Sequence, residues 1–180
     1  MLAIARFAKL IDRGNDYLGR LVSWLTLGLV ILQFGIVLMH YVFHIGSVLL
    51  QESLLYLHSM IFLMGAGYTL FHNGHVRVDV IYGNLSARTK AWIDLLGTLL
   101  FLLPVTILIS WMAYPYVVDS WAILEGSMES SGLQAVYLLK TIILIFTASL
   151  FLQGLSLIFH CLCELTGTTH MPEEPAQNIL

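Results

Sequence analysis

The sequence predicts an all-α membrane protein of four transmembrane helices, with both termini cytoplasmic and a short amphipathic interfacial helix ahead of the first span. Three observations carry this. Of the 180 residues, 58% are hydrophobic and only 11% are charged, whereas a soluble domain carries about 25% charged residues to cover its surface. The apolar residues gather into four stretches, each long enough for the roughly 20 residues that cross about 30 Å of hydrocarbon. Lysine and arginine alternate between the polar segments that separate them.

The lead, residues 1–20, is "MLAIARFAKLIDRGNDYLGR". Ile4, Phe7 and Ile11 share one helical face, and Arg6, Lys9 and Arg13 occupy the other. That pattern suits a helix lying on the cytoplasmic leaflet with its bases among anionic lipid headgroups. Gly14 and Asn15 are expected to break it before the first span. No secretory cleavage pattern follows.

The first span runs from about Leu21 to Phe43. Thr26, Gln33, His40 and His44 fall on one stripe of it. Hydrocarbon offers no hydrogen-bond partner, so a polar stripe faces protein, as a helix–helix interface or as a conduction path. The second span runs from about Val48 to Phe71, with Glu52 one turn inside and Tyr56 and Ser59 below it. A carboxylate this shallow reaches headgroups or an interfacial partner, whereas a proton-coupling carboxylate belongs nearer mid-bilayer.

Between spans two and three lies "FHNGHVRVDVIYGNLSARTK", residues 71–90. Gly74 and Gly83 supply turns, and Ser86 is placed to cap the third helix through its hydroxyl. The third span covers about Ala91 to Val118; Pro104 should kink it, and Pro115 should mark its end. The connection that follows, "DSWAILEGSMESSG", holds Asp119, Glu125 and Glu129 and no base. The fourth span covers about Leu133 to Cys163, and a polar tail, 164–180, is expected to fray. From the N-terminus onward, the lysines and arginines beside each span number 4, 0, 3 and 0. The positive-inside rule therefore puts the lead, the 72–90 loop and the tail in the cytoplasm.

Several function classes are excluded. A net charge of −3 offers nothing to nucleic acid. Cys161 and Cys163 are too few and too close for a disulfide scaffold or a zinc site, and read as packing residues. No nucleophile–base pair or phosphate-cradling glycine loop appears, so no enzyme activity and no cofactor are expected. The seven histidines raise haem, which needs two imidazoles at matched depth on facing helices. His40 and His44 lie near the outer ends, His72, His75 and His160 near the inner ends, and only His58 approaches mid-depth. No span holds a deep charge or a broken helix of the kind that builds transporter sites. Two alternatives stay open: a self-sufficient proton-coupled exporter using Glu52, and a haem or quinone membrane anchor.

The stretch "QESLLYLHSMIFLMGAGYTLFHNGHVRVDVIYGNLSARTKAWIDLLG" and the later "YPYVVDSWAILEGSMESSGLQAVYLLKTIILIF" resemble one family over roughly residues 20 to 160. It is the small membrane subunit (DctQ-type) of tripartite ATP-independent periplasmic (TRAP) transporters, and "GHVRVDVIY" is its most specific piece. The resemblance implies a scaffold in the bacterial inner membrane beside a large subunit of about a dozen spans. That subunit would move an organic acid with sodium after a periplasmic binding protein delivers it. On this footing Gln33, His40, Glu52, His75, Arg77 and Asp79 are candidate subunit-interface or structural residues. Asp119, Glu125 and Glu129 are candidates for docking the binding protein.

Overall fold

A computed structural model describes residues 2–75, 82–83 and 85–167. The described residues form helices and connections, with no strand among them. Helix α1 is Leu2–Tyr41 and α2 is Val48–Phe71. Helix α3, Ala87–Gly97, passes through a π turn at Thr98–Leu102 into α4, Leu103–Ala122. Helix α5 is Val136–Thr166. Four helical rods, counting α3 through α4 as one, are long and apolar enough to cross a membrane.

Helix α5 is the hub. It packs against each of the other helices, while α1 and α2 lie against one another on one flank and α3–α4 forms the other. It also contributes the most buried residues, polar and apolar, including Thr147, Ser149, Gln153, Ser156 and Cys161. Cys161 sits with Ala91 and Leu95 of α3 in an apolar cluster, as expected of a packing residue.

The four expected spans hold in number and order, while the lead runs into the first span as one helix and two expected breaks are corrected. Gly14 and Asn15 do not break the lead, because α1 is one helix of 40 residues. A mid-helix glycine costs only about 1 kcal/mol relative to alanine. Asn15, far from capping a new segment, is buried and hydrogen-bonded to α5. Nor does Pro115 end the third span, since α4 carries it inside and continues to Ala122. In hydrocarbon, stopping the helix there would orphan more backbone groups than the single donor that proline removes. The end comes instead at Leu124, whose φ of 47° turns the chain, with Glu125 N–H closing back on the Ser120 carbonyl at 2.9 Å.

The disturbance expected from Pro104 takes the form of the π turn just before it. Leu103 N–H reaches back five residues to the Thr98 carbonyl. The extra residue gives the proline ring room, as π turns do inside longer helices. Just after the proline, Thr106 Oγ1 donates back to the carbonyls of Leu102 and Leu103, each at 2.9 Å. The widened turn rests on Gly154 of α5, where a Cβ would stand 3.0 Å from Leu102 and 3.1 Å from Leu103. Ser86 caps α3 as predicted, accepting from Thr89 N–H at 3.3 Å.

Candidate functional site

Polar side chains collect at the two ends of the helix bundle, and each collection ties helices together. At the end holding the N-terminus, α1 turns Asp12 and Asn15 toward α5. Asn15 Nδ2 donates to Gln153 Oε1 at 2.6 Å, and its carbonyl oxygen accepts from Ser149 Oγ at 2.8 Å. Gln153 Nε2 donates onward to Asp12 Oδ1 at 2.9 Å, which also accepts from Ser156 Oγ at 2.7 Å. The second Asp12 oxygen lies 3.0 Å from His160 Nε2. Gly67 of α2 closes the junction: a Cβ there would overlap Ser149 Oγ and stand 3.0 Å from Asn15 Oδ1.

The depth of this network explains why it is tolerated. Gly67 lies one turn from the end of α2, whose 24 residues are close to the length that spans hydrocarbon. Asp12 and Asn15 therefore sit at the membrane boundary. A buried carboxylate persists where it is paired and hydrogen-bonded, and Asp12 has three side-chain partners, Gln153, Ser156 and His160. A second acid on α1, Asp16, holds His72 at the end of α2 at 3.1 Å and Arg20 one turn along at 2.9 Å.

At the opposite end the connection between α4 and α5 is fastened to α2. Glu52 accepts from Ser127 Oγ and, at 2.6 Å, from the backbone N–H of Leu133. Gly132 passes directly over the carboxylate, where a Cβ would stand 2.7 Å from Oε1. Glu125 pairs with Lys140 of α5, whose ammonium also lies 3.8 Å from the centre of the Tyr116 ring. The Lys140 hydrogen bond holds the Glu125 carboxyl below its ordinary range. Trp121 Nε1 donates to Thr141 Oγ1 at 2.8 Å, and its ring meets Tyr137 edge-on at 4.6 Å.

Between the two ends, Ser110 of α4 donates to Thr147 of α5 at 2.7 Å. The stripe on α1 behaves differently. Thr26, Gln33, His40 and His44 are all exposed, and Gln33 has no hydrogen-bond partner among the described residues.

The predicted residues thus divide. Glu52 and Glu125 are bonded into the structure. Gln33, His40 and His75 face outward, as do Asp119 and Glu129. Arg77 and Asp79 lie outside the described residues. The near half of their loop is anchored by Gly74 N–H on the Thr69 carbonyl at 2.8 Å. Beyond them Tyr82 donates to Asp94 of α3 at 2.6 Å, and Lys90 Nζ reaches the Gly83 carbonyl at 3.4 Å. Sequence reasoning missed the Asp12–Asn15–Gln153 network. Its signal was present on the fourth span: Ser149, Gln153, Ser156 and His160 recur at spacings of four, three and four, which is one helical face.

Among the described residues no three His, Cys, Asp or Glu side chains converge as a metal ion would require. A family model described as "Tripartite ATP-independent periplasmic transporters, DctQ component" matches residues 18–164. No curated protein and no solved structure matches the chain.

Proposed function

The chain belongs to the DctQ component family of tripartite ATP-independent periplasmic transporters, and we propose that it is the scaffold subunit of a sodium-coupled organic-acid importer. It is an integral membrane protein and the small membrane subunit of such a transporter. In the proposed reading it lies in the bacterial inner membrane with both termini cytoplasmic. A large membrane subunit of about a dozen spans carries the ion and substrate sites, and a periplasmic binding protein delivers the solute.

One observation supports the scaffold role over a transporting one. The carboxylates nearest the bilayer are occupied in holding the chain together: Asp12 on His160, Asp16 on His72, Glu52 on the α4–α5 connection and Asp94 on Tyr82. An ion-coupling carboxylate has to exchange its partner for the transported ion. Glu52 is therefore read as a fastening, and the exporter alternative loses its active group. The outward acids Asp119 and Glu129 remain available to steer the binding protein, which would mainly speed encounter and set orientation.

Purification through a tag on this chain, from cells that also express the neighbouring large subunit, tests the reading. A stable complex that takes up the acid only when sodium and the binding protein are supplied is the expected result. A chain that purifies alone, with transport unaffected by its deletion, would overturn it.

A further inference from the structure

Helix α1 carries a single seven-residue repeat of positions on one face, covered in its first half and largely open in its second. There only Leu29 and Ile36 are half-buried, and Ile36 and His40 lie near Leu50 and Gln51 of α2. Ala8, Asp12, Asn15, Gly19 and Val22 follow one another at spacings of four and three, and all are buried. The same rhythm continues without a break through Thr26, Leu29, Gln33, Ile36 and His40. Such spacing keeps residues on one face. Over the first half that face meets Ser149, Gln153 and Ser156 of α5. Over the second half Thr26, Gln33 and His40 are exposed, and Leu29 and Ile36 are only half-buried.

The bare half lies in the part of α1 that crosses the bilayer, and Gln33 is near its middle. An amide moved into hydrocarbon without a partner costs about 4–8 kcal/mol on the cyclohexane scale. A glutamine could be hidden by turning it toward α2 or α5, yet it faces outward beside exposed Val30, Ile31 and Phe34. The polar positions are not scattered either; they prolong a seam that already serves as a helix–helix contact in the same molecule.

We infer that the Thr26–Gln33–His40 half of this seam is the docking surface for one transmembrane helix of the large subunit. This rests on the proposed function, which supplies a larger membrane partner. The occupying helix presents a hydroxyl, amide or free carbonyl at the depth of Gln33 and apolar or small side chains opposite Leu29 and Ile36. Helix pairs in membranes associate through close packing and such hydrogen bonds. The interface then continues the α1–α5 contact, so that α1 lies between its own bundle and the partner.

The test uses the complex of the full chain with its large subunit in native membranes. A photo-crosslinking residue, p-benzoylphenylalanine, replaces Gln33 in one variant and Leu100, exposed in the π turn between α3 and α4, in another. The expected result is crosslinking to the large subunit from position 33, at least tenfold above position 100. In parallel, Gln33→Leu should lower recovery of the large subunit severalfold while the isolated chain melts at an unchanged temperature, because the side chain is exposed and makes no hydrogen bond among the described residues. Capture of a second copy of this chain, or of lipid alone, would overturn the inference. So would crosslinking from position 100 and not 33, although the proposed function would then stand because the complex exists. If no complex forms, both fall.

Discussion

Asn15 and Gln153, 138 positions apart, share a 2.6 Å hydrogen bond at the centre of a network that joins α1 to α5. Both side chains are at least nine-tenths buried, and each passes its bonding on, Asn15 to Ser149 and Gln153 to Asp12. Replacing Gln153 with Leu strips partners from Asn15 and Asp12 together. A buried polar group left unsatisfied costs about 1–3 kcal/mol, and that loss of stability is expected in detergent unfolding. The Asn15→Leu, Gln153→Leu double variant should lose less than the sum of the singles, by about 0.5–3 kcal/mol. Strict additivity would show that the two residues do not act as a pair.

Glu52 provides a second test, because fastening and proton coupling predict opposite outcomes. Glu52→Gln keeps an acceptor for the Leu133 N–H, so uptake by the complete transporter should survive. Glu52→Leu removes both bonds, and the backbone amide of Leu133 should exchange with deuterium markedly faster. Loss of uptake in the Gln variant with unchanged amide exchange would return Glu52 to a coupling role.

The Glu125–Lys140 pair makes the same connection sensitive to acid. Its Glu125 carboxyl is depressed in the folded state, chiefly by the Lys140 hydrogen bond. A depressed carboxyl contributes order that is fully present above its unfolded value, 4.5 by reference, and is lost as pH falls through the lower folded value. Fluorescence of Trp121, in the last turn of α4 just before that connection, should therefore be steady from pH 7 to 5 and change only as pH falls below 4.5. Glu125→Gln should flatten that change. A transition centred above pH 5 would contradict the assignment.

The outer acids can be tested without disturbing the fold, since Asp119 and Glu129 are exposed. If they steer the binding protein, the Asp119→Lys, Glu129→Lys variant should slow uptake several-fold at low salt and much less at high salt, where the Debye length shrinks toward 3 Å. Equal slowing at both ionic strengths would remove steering.

The parts of the fold that rest on local chemistry were legible in the sequence. Four apolar stretches gave four membrane-spanning rods, Ser86 announced its cap, and Pro104 announced a disturbance. The boundaries that failed were those at which distant residues overrule local preference. Gly14 and Asn15 look like a helix break until Gln153 and Ser149 supply partners. Pro115 looks like a stop until the cost of an unpaired backbone in hydrocarbon is counted. The outward stripe of Thr26, Gln33 and His40 was visible from spacing alone. Its continuity with Ala8, Asp12 and Asn15 was not, because that requires knowing which half α5 covers. The Glu52 fastening was equally out of reach, since Leu133 lies 81 positions away and contributes only a backbone N–H.

The central claim is that this chain supports transport without carrying substrate. Liposomes containing the purified chain alone, the large subunit alone, or both together, each with the binding protein outside and an inward sodium gradient, decide it most directly. The account predicts accumulation of the acid with both subunits present and none with the small chain alone. Sodium-driven accumulation by the small chain alone would contradict it.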